Sequence, residues 1–237
     1  MKTIGLIGGM SWESSACYYR LINEATKRRL GGHHSARSVM YTVDFAEVEE
    51  MQQAGDWDRA GHMLGNAARN LERGGADMIV LCTNTMHLVS DQIADAVEIP
   101  FLHIADATAE AIKARHVGAV GLLGTRFTME KDFYRARLTD VHGLRVIVPE
   151  EPDRTTVHDV IYNELVHGRI ERSSHAALTR VIDALIEGGA EGVVLGCTEL
   201  GLLIGEDDVS VPLFDTTRIH AEHAVEMSLG PASRITP

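Results

Sequence analysis

The sequence contains two copies of one pattern, and this internal duplication constrains the fold more than any other feature. Gly74–Thr85 reads GGADMIVLCTNT and Gly188–Glu199 reads GGAEGVVLGCTE, and the two segments align without gaps 114 residues apart. Two further pairs keep the same order: KTIGLIGG at 2–9 with AVGLLGT at 119–125, and PFLH at 100–103 with PLFD at 212–215. The sequence therefore predicts two similar units, one after the other along the chain.

Strand-like and helix-like segments alternate within each unit. Met78–Leu81 and Gly192–Leu195 are continuous apolar runs, which are typical of strands buried on both faces of a parallel sheet. Residues 14–30 and 60–71 carry apolar side chains at helical spacing. The alternation predicts the α/β class, as two pseudo-symmetric doubly wound parallel-sheet domains with the active site in the inter-domain cleft.

The repeat also suggests domain limits. We expect residues 1–112 to form the first domain, with the stretch 211–237 returning to it, because the strand pattern near Pro212 needs a neighbour and a short connection. Residues 113–210 would form the second domain. Two domains of about 100–150 residues fit the length of the chain.

Charge and cysteine usage narrow the functional classes. The net charge of −12 disfavours nucleic-acid binding, because an acidic chain repels phosphate backbones. We expect no membrane span, since no apolar run reaches roughly 18 residues, and no signal peptide. Cys17, Cys82 and Cys197 are far apart and lack zinc-site spacing, so we expect no metal and a reducing, cytoplasmic location.

The duplication aligns Thr83 with Cys197, each just after a buried strand. We expect a helix to start there, and its free N–H groups and positive dipole end would stabilise a thiolate. Cys197 is therefore predicted to be a catalytic thiol with a depressed pKa, the alternative being a small buried hydrophobe. Cys82 lies one residue before the aligned position, and a one-residue shift in a strand points it to the opposite face, into the core.

Two acid/base groups at matched strand ends suit one particular chemistry. Racemising an amino acid requires one group to remove the α-proton and another to return a proton to the opposite face. The carbanion also needs hydrogen-bond donors around its carboxylate, which strand-end N–H groups and hydroxyls supply.

At these residues the sequence resembles the aspartate/glutamate racemase family, especially its bacterial amino-acid racemase branch. The matching stretches are IGLIGGMSWESS at 4–15, LCTNTMH at 81–87, LGTRFTMEKDFY at 123–134 and LGCTELGLL at 195–203. The resemblance implies two pseudo-symmetric α/β domains, no pyridoxal phosphate or other cofactor, no metal, and two catalytic cysteines facing each other.

This chain departs from the family pattern at the first of those cysteines. The family usually reads Cys-Asn-Thr where this chain has Thr83-Asn84-Thr85. We therefore predict an asymmetric site, in which Cys197 removes the proton from one enantiomer and Thr83, or its water, reprotonates the other face.

Seven residues are predicted to bind the substrate. They are Met10, Gln52, Asn84, Thr85, Thr125, Thr198 and Glu199. Polar residues at strand ends should contact the α-carboxylate or amino group, although N-capping is their ordinary role. Glu199 could hold the ammonium group or pair with a helix dipole. Gln52 enters through the resemblance, against the alternative of an exposed surface glutamine.

The cation for a distal carboxylate is less clearly marked. Arg126 and Arg169 are the nearest candidates, each with the alternative of a solvated charge, and a broader substrate range including neutral polar amino acids stays open. His87, His103 and Asp215 lie near strand ends, where they could orient the thiol or serve as hydrogen-bonded structural residues.

Three rival functions remain open at this point. One is a single-cysteine decarboxylase or isomerase of the same superfamily, and another is a non-catalytic small-molecule binder. A dinucleotide enzyme is disfavoured because IGLIGGM lacks the G-x-G-x-x-G order. The expected partner is a small amino acid; a homodimer is an open alternative, and no motif identifies its interface.

Overall fold

A computed structural model describes residues 1–230, which form two compact units. The first comprises Met1–His103 together with the chain from His220 onward, and the second comprises Ile104–Ile219. Each unit contains one four-stranded parallel sheet with helices around it. The prediction of an α/β chain with two parallel-sheet units is confirmed.

The first unit is built on the strand order β2-β1-β3-β4. Its strands are β1 (Ile4–Gly8), β2 (Ser38–Thr42), β3 (Met78–Leu81) and β4 (Phe101–Leu102). Its helices are α1 (Trp12–Leu30), α2 (Phe45–Ala54), α3 (Trp57–Arg73) and α4 (Ser90–Ala94), with a 3₁₀ helix at Thr85–Val89. The strand at Met78–Leu81 has the limits that its apolar run predicts.

The second unit repeats this topology with the strand order β6-β5-β7-β8. Its strands are β5 (Ala119–Gly124), β6 (Arg145–Ile147), β7 (Gly192–Gly196) and β8 (Leu213–Asp215). Its helices are α5 (Ile104–Ala114), α6 (Arg126–Glu130), α7 (Asp132–Ala136), α8 (Asp153–Asn163) and α9 (Arg172–Glu187), with a π-helical turn at Arg137–Val141. Helix α10 (Thr216–Leu229) begins in the second unit and ends in the first. The two identical sheet orders are what a duplicated sequence predicts.

Side chains along the two central strands alternate between two cores. On β3, Met78 and Val80 pack into the cluster that contains Ile4, Leu6 and Tyr18, whereas Ile79 and Leu81 pack into the cluster on the other face. On β7, Val193 and Leu195 share one cluster and Val194 belongs to the other. The continuous apolar runs therefore reflect burial on both faces of each sheet.

The limits of the units differ from those that the sequence suggests. Strand β8 pairs with β7, with Phe214 opposite Val194, so residues 211–219 belong to the second unit. Residues 104–112 belong there too, because α5 packs its apolar face against the core that contains Phe214. Of the described part of that stretch, residues 220–230 join the first unit, and residues 231–237 of the expected first domain lie outside the described residues.

A buried histidine ties the C-terminal helix to the first unit. The hydroxyl of Tyr18 donates to His220 Nδ1 at 2.9 Å, and His220 Nε2 donates to the carbonyl of Leu102 at 3.0 Å. The neutral imidazole satisfies both ring nitrogens in this arrangement. Complete burial accordingly lowers the pKa of His220 to about 4.

This histidine should make the first unit sensitive to acid. Between pH 6.5, near the unfolded pKa of His220, and its folded pKa of about 4, the imidazole is protonated in the unfolded chain and neutral in the folded chain. The free energy of unfolding therefore falls as the pH drops through this range. The full effect is on the order of 3 kcal/mol. In urea denaturation, the wild-type chain should have a larger free energy of unfolding than His220→Gln at pH 7, and this gap should narrow as the pH falls to 4. A gap that stays constant over that range would contradict the neutral, buried imidazole.

Candidate active site

Two strand ends meet at the carboxyl edge of the first sheet. Ile7 on β1 lies opposite Leu81 on β3, and the N–H of Cys82 donates to the carbonyl of Ile7 at 2.9 Å. The residues that follow, Thr83, Asn84 and Thr85, are 8%, 4% and 7% exposed. The polar triplet is therefore held nearly buried beside the turn that follows β1.

Cys82 points into the apolar core of the first unit. Cys82 is fully buried in the cluster that contains Met78 and Val80. Burial in this apolar cluster raises the pKa of its thiol, which makes it a poor acid and a poor nucleophile. The expectation that Cys82 belongs to the core is confirmed.

His87 holds the backbone of Thr83 in place. Its Nδ1 donates to the carbonyl oxygen of Thr83 at 2.8 Å, and the ring is only 1% exposed. Its ring centroid lies 4.7 Å from that of His103. The sequence marks both histidines by their place near strand ends, but the hydrogen bond to Thr83 depends on the 3₁₀ turn at Thr85–Val89.

Gln52 and Met10 lie in the interior of the first unit. Gln52 on α2 is 6% exposed, and its amide Nε2 lies 3.0 Å from Met86 Sδ, one residue after Thr85. The alternative of an exposed surface glutamine is therefore wrong. Met10 is also buried and packs in the same cluster as Met86.

The turn after β1 offers fewer donors than the sequence suggests. The N–H of Gly9 donates to Ser15 Oγ at 2.7 Å, so it is already used inside the protein. Ser11 caps α1, with its side chain accepting from the N–H of Ser14 at 3.3 Å. The N–H of Gly9 is therefore engaged within the protein, because the first turn of α1 folds back onto it.

The second sheet repeats the arrangement at its own carboxyl edge. Gly124 on β5 lies opposite Gly196 on β7, so Thr125 and Cys197 follow a directly paired position. A Cβ at Gly196 would lie 2.8 Å from the carbonyl oxygen of Leu123, which explains the glycine before the cysteine. Thr125 caps α6 and accepts from the N–H of Thr128 at 3.4 Å, so its ordinary capping role is present.

Cys197 continues the face of β7 that carries Val193 and Leu195. The repeat aligns Ile79 and Leu81 on β3 with Val193 and Leu195, and it aligns Thr83 with Cys197. The two aligned residues therefore follow equivalent strands of their own sheets.

The thiol of Cys197 is bound to a carboxylate. Its Sγ donates to Glu199 Oε2 at 3.0 Å, and the residue is 9% exposed. Burial, followed by the negative charge of Glu199, raises the pKa of the thiol well above its ordinary value. The backbone N–H groups of Thr198 and Glu199 act in the opposite direction and are outweighed. The prediction of a depressed pKa is therefore wrong.

The short helix after β7 explains why the dipole argument fails. Thr198–Leu202 is a five-residue 3₁₀ helix, and Cys197 at its N-cap makes no side-chain capping bond. So short a helix aligns few peptide dipoles. Thr198 and Glu199 are half-buried in its first turn.

The two arginine candidates have different surroundings. Arg126 directly follows Thr125. Its guanidinium lies 3.8 Å from the carboxylate of Glu130, and its backbone N–H donates to His158 Nδ1 at 3.2 Å. Burial, with the nearby charge of Arg126, lowers the pKa of His158. Arg169 donates from its guanidinium to the carbonyl of Asn163, so it braces its own loop. Arg126 is thus the candidate that lies beside the second strand-end site.

Residues 1–230 show neither a cluster of metal ligands nor a helix that could cross a membrane. They contain no group of three or more His, Cys, Asp or Glu side chains placed to hold a metal ion. None of the helices among them has the length and hydropathy needed to cross a membrane.

Comparison with known proteins now decides the family. The family model of Asp/Glu/hydantoin racemases matches residues 7–224, which include both strand-end sites. The chain belongs to this family. The resemblance seen in the sequence is confirmed, and with it the prediction of an isomerase of the racemase class.

Solved structures and a curated relative agree with this assignment. A crystal structure from Yersinia pestis, provisionally described as an Asp/Glu racemase, is 53% identical and covers 97% of this chain and 100% of that chain, with a TM-score of 0.93. An aspartate racemase homologue from Pyrococcus horikoshii is 38% identical, with coverage of 97% and 100% and a TM-score of 0.86. The broad specificity amino-acid racemase RacX of Bacillus subtilis is 26% identical over 240 residues, 95% of this chain and 98% of the relative.

Gly9 should be intolerant of any side chain. Its φ is +99°, and a Cβ there would lie 2.1 Å from the carbonyl oxygen of Val43. We expect Gly9→Ala in this racemase-family chain to lower the free energy of unfolding by more than about 2 kcal/mol. Gly118→Ala is the matched control, because its Cβ would meet nothing closer than 3.6 Å. Equal urea midpoints for the two variants would show that the turn after β1 is not held as described.

Proposed function

We propose that this member of the family is a cofactor-independent amino-acid racemase, with Cys197 as its thiol acid/base and Thr83 at the opposite face of the substrate. The observation that carries the proposal is the placement of Cys197. It directly follows a buried strand of the second sheet, at the position that the internal repeat aligns with Thr83 in the first. Membership of a racemase family supplies the reaction class.

The reaction would use one group for each face of the α-carbon. Cys197, as thiolate, takes the α-proton and leaves a carbanion, and the Thr83 hydroxyl or a water beside it gives a proton to the other face. Asn84, Thr85 and Thr198 would donate to the substrate carboxylate, which carries the developing charge. The proton gained by the thiol and the one lost by the hydroxyl are both exchanged with solvent, so the enzyme returns to its starting state.

An asymmetric pair of groups implies an asymmetric rate. A threonine hydroxyl is far too weak an acid to be ionised at neutral pH, so it cannot serve as a resting base. Because the two enantiomers have equal free energies, kcat/KM must be the same in both directions. The asymmetry should therefore appear at saturating substrate, where kcat should be much larger from the enantiomer whose α-proton faces Cys197.

The proposed substrate is a small acidic amino acid such as aspartate or glutamate. Support comes from the family and from Arg126, a cation directly beside Thr125 that could hold a distal carboxylate. A broader range remains within the proposal, because Arg126 is half-exposed and already near Glu130. The three free cysteines fit a reducing cytoplasm, and a homodimer is compatible with the proposal.

A second candidate function has one observation in its favour. Cys197 is held as a protonated thiol, and a decarboxylase of malonate-type acids needs a single proton donor rather than a base. Measuring carbon dioxide release from such acids against loss of optical rotation from amino acids separates the two functions.

Exchange of the α-proton should depend on one cysteine and not on the other. We expect Cys197→Ala to abolish deuterium incorporation from D₂O into aspartate or glutamate, followed by nuclear magnetic resonance. Cys82→Ala is the control, because its thiol is enclosed in the core and its loss should leave exchange nearly intact. The reverse pattern would place the site elsewhere.

The difference between the two directions should depend on Thr83. Replacing it by a thiol, in Thr83→Cys, supplies a group that can ionise, so the kcat values from the two enantiomers should become more equal. Thr83→Ser keeps a hydroxyl and should keep the difference in kcat. Initial rates at saturating substrate, followed by circular dichroism, measure kcat in both directions, and equal kcat values in the wild-type enzyme would refute the assigned roles.

A further inference from the structure

The thiol of Cys197 and the carboxylate of Glu199 form a closed pair. The two side chains are two residues apart in the chain, and Sγ lies 3.0 Å from Oε2. The thiol is nearly buried while the carboxylate is half-buried, so one side of the pair is accessible.

Two other titratable groups lie on the elements that contact β7 and the 3₁₀ helix Thr198–Leu202 most extensively. Strand β5 carries none, β8 contributes Asp215, and the 3₁₀ helix Leu165–His167 contributes His167. Asp215 accepts from the backbone N–H groups of Thr217 and Arg218 through Oδ1, so this oxygen is turned to the start of α10. Glu199 is the charged side chain in hydrogen-bond contact with the thiol.

This geometry opposes ionisation of the sulfur in the free protein. Loss of the thiol proton would place two negative charges about 3 Å apart in a poorly solvated site, where like charges strongly disfavour each other. The raised pKa of Cys197 is the consequence. A base is needed for racemisation, so the bound state must contain something that removes this repulsion.

We propose that Glu199 binds the substrate's α-ammonium group, and that this contact couples substrate binding to loss of the proton from Cys197. The inference rests on the proposed function. The cation compensates the carboxylate and frees it from the thiol, so the thiol proton leaves to solvent and the thiolate faces the α-carbon. By linkage, the ammonium and the thiolate favour each other equally.

The coupling defines the class of productive ligands. An amino acid with a free, protonated α-amino group activates the thiol. A 2-hydroxy acid or an N-acylated amino acid offers the carboxylate without the cation, so it can occupy the site while Cys197 stays protonated. The protonated resting state also protects the thiol, because the thiolate is the form that alkylating agents and oxidants attack.

The first test measures the thiol in the absence of ligand. The full-length wild-type protein, Glu199→Gln and Glu206→Gln are alkylated with iodoacetamide across a pH series, and modification of Cys197 is followed by peptide mass spectrometry. Glu206 is exposed in the next 3₁₀ helix, so it is the matched control. We expect Glu199→Gln to alkylate about tenfold faster at neutral pH, since one pKa unit changes the thiolate fraction tenfold. Equal pH midpoints for wild type and Glu199→Gln would overturn the inference.

The second test compares the free and bound enzyme. The acid limb of kcat/KM reports the free enzyme and that of kcat reports the complex. With aspartate, the limb of kcat in the wild type should lie at lower pH than that of kcat/KM, and Glu199→Gln should remove most of the gap. Malate should inhibit without raising the ultraviolet absorbance of thiolate, which aspartate should raise. Coincident limbs in the wild type would contradict the coupling.

The proposed function and the coupling through Glu199 can be refuted separately. If Cys197→Ala still exchanges the α-proton, the proposed function is wrong whatever the alkylation shows. If Cys197→Ala is inactive while Glu199→Gln keeps wild-type alkylation and pH profiles, only the coupling is wrong. Should Glu199→Gln fold poorly, Glu199→Asp carries the same comparison, because a shorter carboxylate weakens the contact with Sγ and should shift the midpoint in the same direction.

Discussion

The alternation of side chains along β3 and β7 is the constraint on which the candidate site depends. A buried parallel strand sends successive residues to opposite faces, so a shift of one position separates a core residue from a strand-end functional residue. Cys82 continues the face of Met78 and Val80 and is lost to the core. Cys197 continues the face of Val193 and Leu195, and the repeat aligns it with Thr83 rather than with Cys82.

Electrostatics then sets the resting state of that cysteine. A nearby helix terminus favours a thiolate, but the 3₁₀ helix after β7 is too short to outweigh burial and the carboxylate of Glu199. The thiol of Cys197 is therefore protonated at neutral pH. The proposed role of Cys197 as a base therefore requires a bound group that offsets the charge of Glu199, and an α-ammonium group has the charge to do so.

Much of the fold is predictable because the signals are local or repeated. The run Met78–Leu81 predicts its strand to the residue, and the helical spacing at 14–30 predicts most of α1, which begins two residues earlier with Ser11 as its cap. The repeat predicts two units, and the sheet orders are the same in both. The repeat also indicates the position of β8, because PFLH at 100–103 aligns with PLFD at 212–215 and β4 pairs with β3. The domain limits expected from the sequence do not follow this match, and the packing of Phe214 in the second core decides the position.

The chemistry of the site is less accessible to sequence reasoning. The sequence shows that Cys197 and Glu199 are two residues apart, but their contact depends on the turn that places Glu199 Oε2 beside Cys197 Sγ. The bonds from His87 to Thr83 and from Gly9 to Ser15 likewise arise from turns of a few residues.

The central claim is that different groups serve the two faces of the substrate. Early in a reaction in D₂O, the account predicts deuterium in the product enantiomer and almost none in the recovered substrate. Deuterium appearing equally in the recovered substrate would mean that one group serves both faces, and would contradict it.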